Sequence, residues 1–228
     1  MLELQSVVGG YGDTTVLRSV SLSVPDSSVV ALLGPNGAGK TTTLRMASGL
    51  LRPRDGAVLL DGSDVGNLSP YQRVSRGLCH IPEGRGIFPS LTVRDNVTIY
   101  SPRGKEKESW ERAVDTFPVL GDRRRQIAGT LSGGEQQMLA LARAYLASPS
   151  VVLIDEASLG LAPLVVDTIF EFVEQLVAAG VSLLLVEQYV SRALTLAHSV
   201  YVISQGAIVY DGPAADLDEE TVFDLYSS

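Results

Sequence analysis

Short apolar runs separated by longer amphipathic stretches dominate this chain. Five runs of aliphatic and β-branched residues stand at 29–33, 77–81, 151–154, 181–186 and 199–203, and helical patterns fill most of the intervals between them. Because these runs lack polar alternation, they are typical of strands that are buried on both faces. Strand–helix alternation in turn favours parallel pairing. The pattern therefore predicts an α/β fold with a mostly parallel core sheet.

Two regions depart from this pattern. The first sixty residues contain alternating segments, "LELQSVV", "SLSV" and "AVLLDG", which predict an N-terminal antiparallel β layer. Residues from about 88 to 147 form one helical pattern after another, which predicts a helical subdomain inserted into the α/β core. We expect one domain over 1–228, in which 1–87 and 148–228 form the core and its β layer.

Composition narrows the choice of partners. The chain has 228 residues, a formal net charge of −8 and a single cysteine. Nucleic acid is an improbable partner because a polyanion requires a basic face. The lone cysteine fits a reducing cytoplasm, and the N-terminal stretch lacks the pattern of a secretory signal. We therefore expect a cytoplasmic protein that holds any phosphate through backbone amides, a lysine and a metal ion.

A glycine-rich loop between a predicted strand and a predicted helix carries the first chemical signal. The letters "GPNGAGKT", from Gly34 to Thr41, fit the pattern G-x-x-x-x-G-K-[ST]. Glycines let the backbone amides surround a phosphate, Lys40 is expected to reach the β- and γ-phosphates, and Thr41 to ligate Mg²⁺. The predicted nucleotide-binding residues are Gly34, Pro35, Asn36, Gly37, Ala38, Gly39, Lys40, Thr41 and Thr42.

A pair of acids ends the buried run "VVLIDEA". Asp155 is placed to hold Mg²⁺ through water, and Glu156 to orient and polarise the water that attacks the γ-phosphate. A strand that ends in two acids is a weak signal alone, and the glycine-rich loop strengthens it.

A second turn suited to phosphate lies at "LSGGEQQ", residues 131–137. A serine and two glycines precede a long helical pattern there, and the free amides of a helix N-terminus attract anions. A plain capping turn is the alternative interpretation. With "GPNGAGKT" and "LIDEA" in the same order and spacing, the chain resembles the ATP-binding subunit of an ABC transporter along essentially its whole length.

This resemblance implies an ABC-type P-loop ATPase that works as a head-to-tail pair. In that family each nucleotide lies between the glycine-rich loop of one subunit and the signature turn of the other. The resemblance thus assigns Leu131, Ser132, Gly133, Gly134 and Glu135 to ATP held by a partner subunit. It also implies a location at the inner face of the cell membrane, beside separate permease subunits.

Four segments narrow the resemblance further. "IPEGRGIFPSLTVRDN", "LSGGEQQMLALARA", "DEASLGLAP" and "LLLVEQYVSRAL" look like the second ATP-binding subunit (LivF type) of branched-chain amino-acid importers. The resemblance implies ATP-driven uptake through a permease fed by an external solute-binding protein, with a heterodimer favoured over a homodimer. Import of urea, amides or other amino acids by the same machinery is one alternative. A soluble ABC ATPase without a transport role is another, which the single glycine-rich loop and the acidic charge disfavour.

The resemblance also implies roles for four further residues. Tyr11 stands where the family places an aromatic ring against adenine, with a loop anchor as the alternative, and Val16 is expected to line the same pocket. Glu83 stands where most members have a glutamine near the metal, and Gln188 where most have a catalytic histidine. Because glutamine cannot become cationic, we hypothesise that this chain's own ATP site is slower than its partner's.

Two expectations concern loops. Ala157 replaces a proline that is usual in the family, which is expected to loosen the following loop toward the partner, with a neutral replacement as the alternative. The segment "GRGIFPSLTV" after Glu83 is expected to face the permease.

Overall fold

The computed structural model describes residues 1–84, 86–158 and 160–226. The strands are β1 Leu2–Tyr11, β2 Thr14–Val24, β3 Val29–Leu33, β4 Asp55–Leu60, β5 Ser63–Asp64, β6 Leu78–Ile81, β7 Val151–Asp155, β8 Ser182–Val186, β9 Ser199–Ser204 and β10 Ala207–Pro213. The α-helices are α1 Lys40–Ala47, α2 Pro70–Val74, α3 Val93–Tyr100, α4 Glu106–Thr116, α5 Pro118–Asp122, α6 Gly133–Ala147, α7 Pro163–Ala178, α8 Val190–Leu196 and α9 Glu219–Tyr226.

A six-stranded sheet forms the centre of the fold. Its strand order is β10-β9-β3-β8-β7-β6, and every neighbouring pair is parallel except the edge pair β10 and β9. The five apolar runs predicted as buried strands are β3, β6, β7, β8 and β9, so the prediction of a mostly parallel core is confirmed. The carboxyl ends of β3 and β7 lie on the same edge of this sheet, where ligands of open α/β folds bind.

The predicted N-terminal β layer is also present. Strands β1, β2, β4 and β5 form an antiparallel sheet of order β2-β1-β4-β5. Its apolar side chains pack with one face of the central sheet and with α1 in a single cluster that includes Leu4, Val58 and Leu32. This packing holds α1 between the two sheets.

Helices α3 to α6 occupy the region that the sequence predicted to be helical. Their apolar faces join the opposite face of the central sheet and α7 in the largest cluster. The aromatic residues Trp110 and Tyr145 pack there, Tyr145 edge-on to Phe172 with ring centroids 6.2 Å apart. The predicted fold class, an α/β fold with a β layer and inserted helices, is thus confirmed.

A buried arginine fixes the far end of α1. The guanidinium of Arg73 on α2 is fully buried and donates to the carbonyl oxygens of Met46 and Ala47 at 2.6 and 2.7 Å. These carbonyls belong to the last turn of α1, which has no intrahelical donors for them. Burial lowers the pKa of Arg73 to about 10, so the side chain remains cationic at neutral pH. Arg73 therefore anchors the helix whose other end carries the glycine-rich loop.

Candidate active site

The glycine-rich loop connects β3 to α1 and leaves the first amides of α1 uncapped. Gly39 is the N-cap residue, with φ of 117°, and offers no side chain to the amides that follow. A Cβ on Gly39 would come within 2.8 Å of Leu17, and one on Gly34 within 2.2 Å of the Ile203 carbonyl oxygen. Only glycine fits both positions. The loop is thus closely packed from behind, and the uncapped amides at the start of α1 are available to a phosphate.

A cavity of about 330 Å³ opens in front of these amides. Its lining residues come from the glycine-rich loop, from β2 and from the segments that follow β6, β7 and β8. They are Val16, Asn36, Gly37, Gly39, Lys40, Thr41, Thr42, Glu83, Glu156 and Gln188. Each of them was predicted from the sequence to serve the nucleotide, its metal or the catalytic step. The structure brings together residues that are up to 172 positions apart, from 16 to 188.

Lys40 lies folded across its own loop. Its Nζ donates to the carbonyl oxygens of Gly34 at 2.7 Å and Pro35 at 3.1 Å, and lies 3.8 Å from Glu156 Oε1. Burial lowers the pKa of Lys40, and the carboxylates of Glu156 and Asp155 partly offset that effect. The ammonium group thus stands at the cavity wall, within reach of both the loop and the acid at the end of β7.

The end of β7 offers oxygen ligands suited to Mg²⁺. Asp155 is buried, its Oδ1 accepts a hydrogen bond from Thr41 Oγ1 at 3.3 Å, and its Oδ2 has no partner among the described residues. Burial, with smaller contributions from the nearby carboxylates of Glu156 and Glu83, raises the pKa of Asp155 to about 6, although the hydrogen bond from Thr41 partly offsets this rise. An unpaired carboxylate oxygen beside a hydroxyl fits a hard cation that takes its other ligands from phosphate and water. Within the described ranges, no cluster of three or more metal-binding side chains is found.

Glu156 and Gln188 meet across the mouth of the same cavity. Gln188 Nε2 donates to Glu156 Oε2 at 3.1 Å, and the Glu156 amide donates to the Val186 carbonyl oxygen at 2.9 Å. The φ of Glu156 is 48°, a left-handed conformation that is rare for a glutamate and costs of order 1 kcal/mol. Strain of this kind persists where neighbouring contacts fix it, and here it turns the carboxylate toward Lys40 and Gln188.

The serine–glycine turn lies outside the cavity lining. Ser132 caps α6: its Oγ accepts from the Glu135 amide, and the Glu135 carboxylate accepts from the Ser132 amide at 2.8 Å. This capping box leaves the amides of Gly133 and Gly134, the first two of the helix, without intrahelical partners. Gly134 is required for packing as well, because a Cβ there would lie 2.7 Å from Val165 on α7. The turn thus combines a stable cap, at the exposed Ser132, with two amides that have no partner within the helix.

Arg123 extends this arrangement. Its guanidinium pairs with Glu135 at 3.1 Å, and backbone donation from Ser132, with a smaller contribution from Arg123, lowers the pKa of Glu135. The arginine run at 123–125 is exposed, and its first member, Arg123, supports the signature turn through Glu135.

Tyr11 lies at the end of β1 and does not contribute to the cavity lining. Its hydroxyl accepts from Arg45 on α1 at 2.9 Å, and the Arg45 guanidinium lies 5.8 Å from the ring centroid. The adenine contact of Tyr11 therefore stays a prediction, while a contact to α1 is present.

Two expectations about loops fall on residues outside the described ranges. Ala157 is buried, and the loop that it was expected to loosen includes Leu159, which is not among the described residues. The segment expected to face the permease includes Arg85, which is not among them either.

Both histidines have structural surroundings. His198 Nδ1 accepts a hydrogen bond from the Val29 amide at 3.1 Å. Burial, together with the positive charges of Arg143 and Arg45, lowers the pKa of His80 to about 4, so it is neutral at physiological pH. Neither histidine lines the cavity.

Comparison with known proteins agrees with this geometry. The sequence model of the family described as ABC transporter matches residues 17–159, which include the glycine-rich loop, the signature turn and the acids of β7. The chain belongs to the ABC transporter family. The members of this family are ATPases, and the chain is therefore the ATP-binding subunit of such a system.

Individual relatives narrow the place of the chain within the ABC family. It is 39% identical to a high-affinity branched-chain amino acid transport ATP-binding protein, BraG, of Pseudomonas aeruginosa, over 99% of both chains. It is 35% identical to a probable LivF protein of the same transport class from Archaeoglobus fulgidus, over 98% of this chain and 97% of that one. A lipopolysaccharide export ATP-binding protein, LptB, of Escherichia coli K12 is 33% identical over 99% of this chain and 96% of its own.

Solved structures of ABC cassettes share the whole fold. A nucleotide-free ATP-binding cassette superimposes with a TM-score of 0.82 at 27% identity, covering 100% of this chain and 95% of that one. An ATP-binding subunit of an ABC transporter gives a TM-score of 0.88 at 26% identity, with both chains fully covered. No helix among the described residues is long and apolar enough to cross a bilayer.

Sequence reasoning missed a buried pair directly behind the site. Ser158 Oγ donates to the carboxylate of Glu187, and both side chains are buried. Burial raises the pKa of Glu187 to about 7, although hydrogen bonds from Ser158 and from the Gln188 amide partly offset it. The sequence contains one signal that could have pointed to this pair. Glu187 stands between the buried strand "SLLLV" and Gln188, so it comes where a buried strand reaches the predicted site.

This pKa predicts a pH-dependent stability. Because folding raises the pKa of Glu187 from 4.5 to about 7, its contribution to stability is present at low pH and is lost as the pH rises through that window. Glu187→Gln should therefore gain about 3 kcal/mol in unfolding free energy relative to the wild type between pH 4.5 and 7.5. Urea unfolding of both proteins at several pH values measures this. Contributions from Asp155 and His80 cancel in the comparison, and a difference that does not change with pH would contradict the prediction.

Proposed function

We propose that the chain is the ATP-hydrolysing subunit of an importer that takes up branched-chain amino acids through separate permease subunits. The observation that carries this proposal is the 39% identity, over 99% of both chains, to an ATP-binding protein of branched-chain amino acid transport. The cavity at the carboxyl ends of β3, β7 and β8 contains the residues that we expect to bind and hydrolyse ATP. We expect the protein to act at the cytoplasmic face of the cell membrane.

In this proposal the glycine-rich loop holds the triphosphate. The amides of residues 36–42 and the Lys40 ammonium bind phosphate oxygens, and binding draws Lys40 away from the carbonyl oxygens of Gly34 and Pro35. Thr41, Asp155 and Glu83 would hold Mg²⁺, Asp155 through water. Bound Mg²⁺ supplies neutralisation of the charge that develops on the β- and γ-phosphate oxygens.

The hydrolytic step follows from the contacts of Glu156. Its carboxylate accepts from Gln188 and faces Lys40, so it can accept a hydrogen bond from a water placed between itself and the γ-phosphate. Gln188 orients this carboxylate and has a carboxamide able to donate to a phosphate oxygen. Direct in-line attack by that water requires positioning and charge stabilisation, without a covalent enzyme intermediate.

A complete site needs a second ATPase subunit. The signature turn, residues 131–135, contributes nothing to the cavity lining, yet the exposed Ser132 and the two free amides after it form a helix start that is suited to an anion. We propose that this turn binds the γ-phosphate of ATP held by the partner, and that a related second subunit is the favoured partner over a copy of this chain. ATP then closes the pair and hydrolysis opens it.

An apolar groove is the surface on which we expect the permease to dock. A cavity of about 430 Å³ lies between α2, β6, α3 and α6, and its rim includes the exposed side chains of Leu50, Val74 and Ile99. The segment predicted to face the permease adjoins it, because Tyr100 of the groove donates to the Gly86 carbonyl oxygen at 2.9 Å. With a permease docked in this groove, the inserted helical subdomain, residues about 88–147, would move with the permease. The motion would be relative to the core, residues 1–87 and 148–228.

Lipopolysaccharide export is the competing transport role. The relatives named for it align over nearly the whole chain, but at 31 to 33% identity. Substrate choice in such systems lies with proteins other than the ATPase, so the cargo assignment rests on the relatives alone.

The assembled complex provides the test. An affinity tag on this chain, followed by membrane solubilisation and mass spectrometry, should recover a permease and a second ABC ATPase. Reconstituted with the matching external binding protein, this complex should accumulate radiolabelled leucine on addition of ATP, and urea should not be accumulated. Recovery of lipopolysaccharide export components, or of the chain without any membrane protein, would overturn the proposal.

A further inference from the structure

Two buried side chains join the loops that carry Glu156 and Gln188. Ser158 is 0% and Glu187 2% exposed, and the Ser158 hydroxyl donates to Glu187 Oε2. The backbone amides of Ser158 and Gln188 also donate to this carboxylate. We call these two residues the latch pair.

The latch pair is costly to the fold. No lysine, arginine or histidine in the described part of the chain forms an ion pair with Glu187. Burying a carboxyl group without a cation is unfavourable, and apolar residues of similar size often replace such groups without loss of stability. The strand before it, β8, is completely buried and is apolar apart from Ser182 at its other end, so packing alone does not require an acid after Val186. The buried carboxyl group of Glu187 is therefore better explained by the segments that it holds in place than by a contribution to stability.

The latch pair holds the two residues proposed to act on the attacking water. Glu187 immediately precedes Gln188, and Ser158 follows Glu156 by two positions. On the cavity side, Gln188 contacts Glu156 at 3.1 Å, and the Glu156 amide bonds the Val186 carbonyl oxygen at 2.9 Å. The segments 156–158 and 186–188 are therefore joined at three levels, and the deepest level is the latch pair.

We propose that the latch pair sets the distance between Glu156 and Gln188, and that Glu187 is a positioning residue for ATP hydrolysis. This inference rests on the proposed roles of Glu156 and Gln188. Ionised Glu187 accepts all three of its donors, whereas protonation removes one acceptor from them. Among the described residues, the charged group that acts on Glu187 is the Glu156 carboxylate, which opposes its ionisation. Turnover should therefore rise with pH as Glu187 loses its proton.

Turnover in the assembled complex tests the inference. To isolate this chain's site, the partner ATPase carries glutamine at the position equivalent to Glu156. Ser158→Ala and Glu187→Gln should each lower kcat about tenfold with KM for ATP unchanged, because the latch pair does not touch the nucleotide. The double variant should lose no more than either single one, as expected for two residues that act as a unit. Glu187→Gln should also remove the rise of kcat around pH 7.

A matched control lies at the other end of the same strand. Ser182 is also buried and accepts from the Ser27 amide at 3.0 Å. Ser182→Ala makes the same substitution in a buried hydrogen-bonded serine, and it should lower thermal stability while leaving kcat unchanged. If Ser182→Ala lowers kcat as much as Ser158→Ala does, the effect is general and the latch proposal is overturned.

A second readout does not depend on turnover. Amide hydrogen exchange of segments 156–158 and 186–188 should accelerate in Glu187→Gln even though this variant, which lacks the buried charge, folds at least as stably at pH 7.5. Unchanged exchange together with unchanged kcat would overturn the latch proposal. If instead Glu156→Gln itself fails to reduce turnover, the proposed role of Glu156 fails first, so the two failures are distinguishable.

Discussion

Glu156→Gln will reduce hydrolysis at this chain's ATP site by about a thousandfold, while ATP remains bound. A correctly placed general base contributes on the order of a hundred- to ten-thousandfold to such reactions, and the amide cannot accept the proton. The amide keeps one acceptor oxygen to face Lys40, and its NH2 group can donate to Gln188 once the Gln188 carboxamide turns its oxygen toward it, so the cavity should persist. Single-turnover release of labelled phosphate, in a complex whose partner site is inactivated, measures the loss.

Glu171→Gln is the matched control for this prediction. Glu171 lies exposed on α7, so the substitution removes one negative charge from the surface and should leave turnover unchanged.

The hypothesis of a slower site in this chain needs a complex in which the partner's site is intact. There Glu156→Gln should leave most of the turnover, because Gln188 is hypothesised to make this chain's site the slower one. If Glu156→Gln abolished all turnover of this complex, while the equivalent substitution in the partner left most of it, the slower-site hypothesis would be refuted.

Ser132→Asp will abolish the ATP-dependent pairing of subunits. Aspartate caps helices as well as serine does, so α6 should begin at the same residue. Its charge, however, would lie against the γ-phosphate of the partner's ATP, and two like charges about 4 Å apart repel by roughly 4 kcal/mol at an effective dielectric constant of about 20. We expect at least a hundredfold weaker association, measured by light scattering in the Glu156→Gln background, where ATP is held without turnover.

Ser132→Asn separates charge from shape in this experiment. Asparagine has nearly the size of aspartate and is an equally good cap, but it is neutral, so most of the association should survive. ATP affinity of the monomer should be the same in both variants, because the signature turn lies outside the cavity lining. Equal association of the aspartate and asparagine variants would mean that the turn does not meet a phosphate.

Local residue patterns were sufficient for much of this molecule. An unbroken apolar strand such as β7 is recognisable because burial on both faces leaves no polar positions. The glycine-rich loop is recognisable because its chemistry needs particular residue types at fixed spacing, and the ten described residues that line the cavity were predicted in this way or through the family resemblance. Such patterns can be recognised in a sequence because the residues that specify a strand or a loop lie within a few positions of each other.

Contacts between distant segments were not recognisable. Arg73 looks like a surface arginine of a short helix, yet it is buried against the carbonyl oxygens of Met46 and Ala47. Glu187 looks like a solvated acid after a strand, yet Ser158, which is 29 positions away, closes over it. Tyr11 resembles an adenine platform in its position, and the fold places Arg45 against it.

The sequence by itself determined the strand and helix pattern, the loop that is able to hold phosphate, and the acids that end β7. Only the tertiary structure decided that Glu156 and Gln188 meet, that a buried carboxyl lies behind them, and that the signature turn lies outside the lining of its own chain's cavity. The physical reason is that patterning and turn chemistry are local properties. Hydrogen-bond partners, burial and shifted pKa values arise only when packing brings remote segments together.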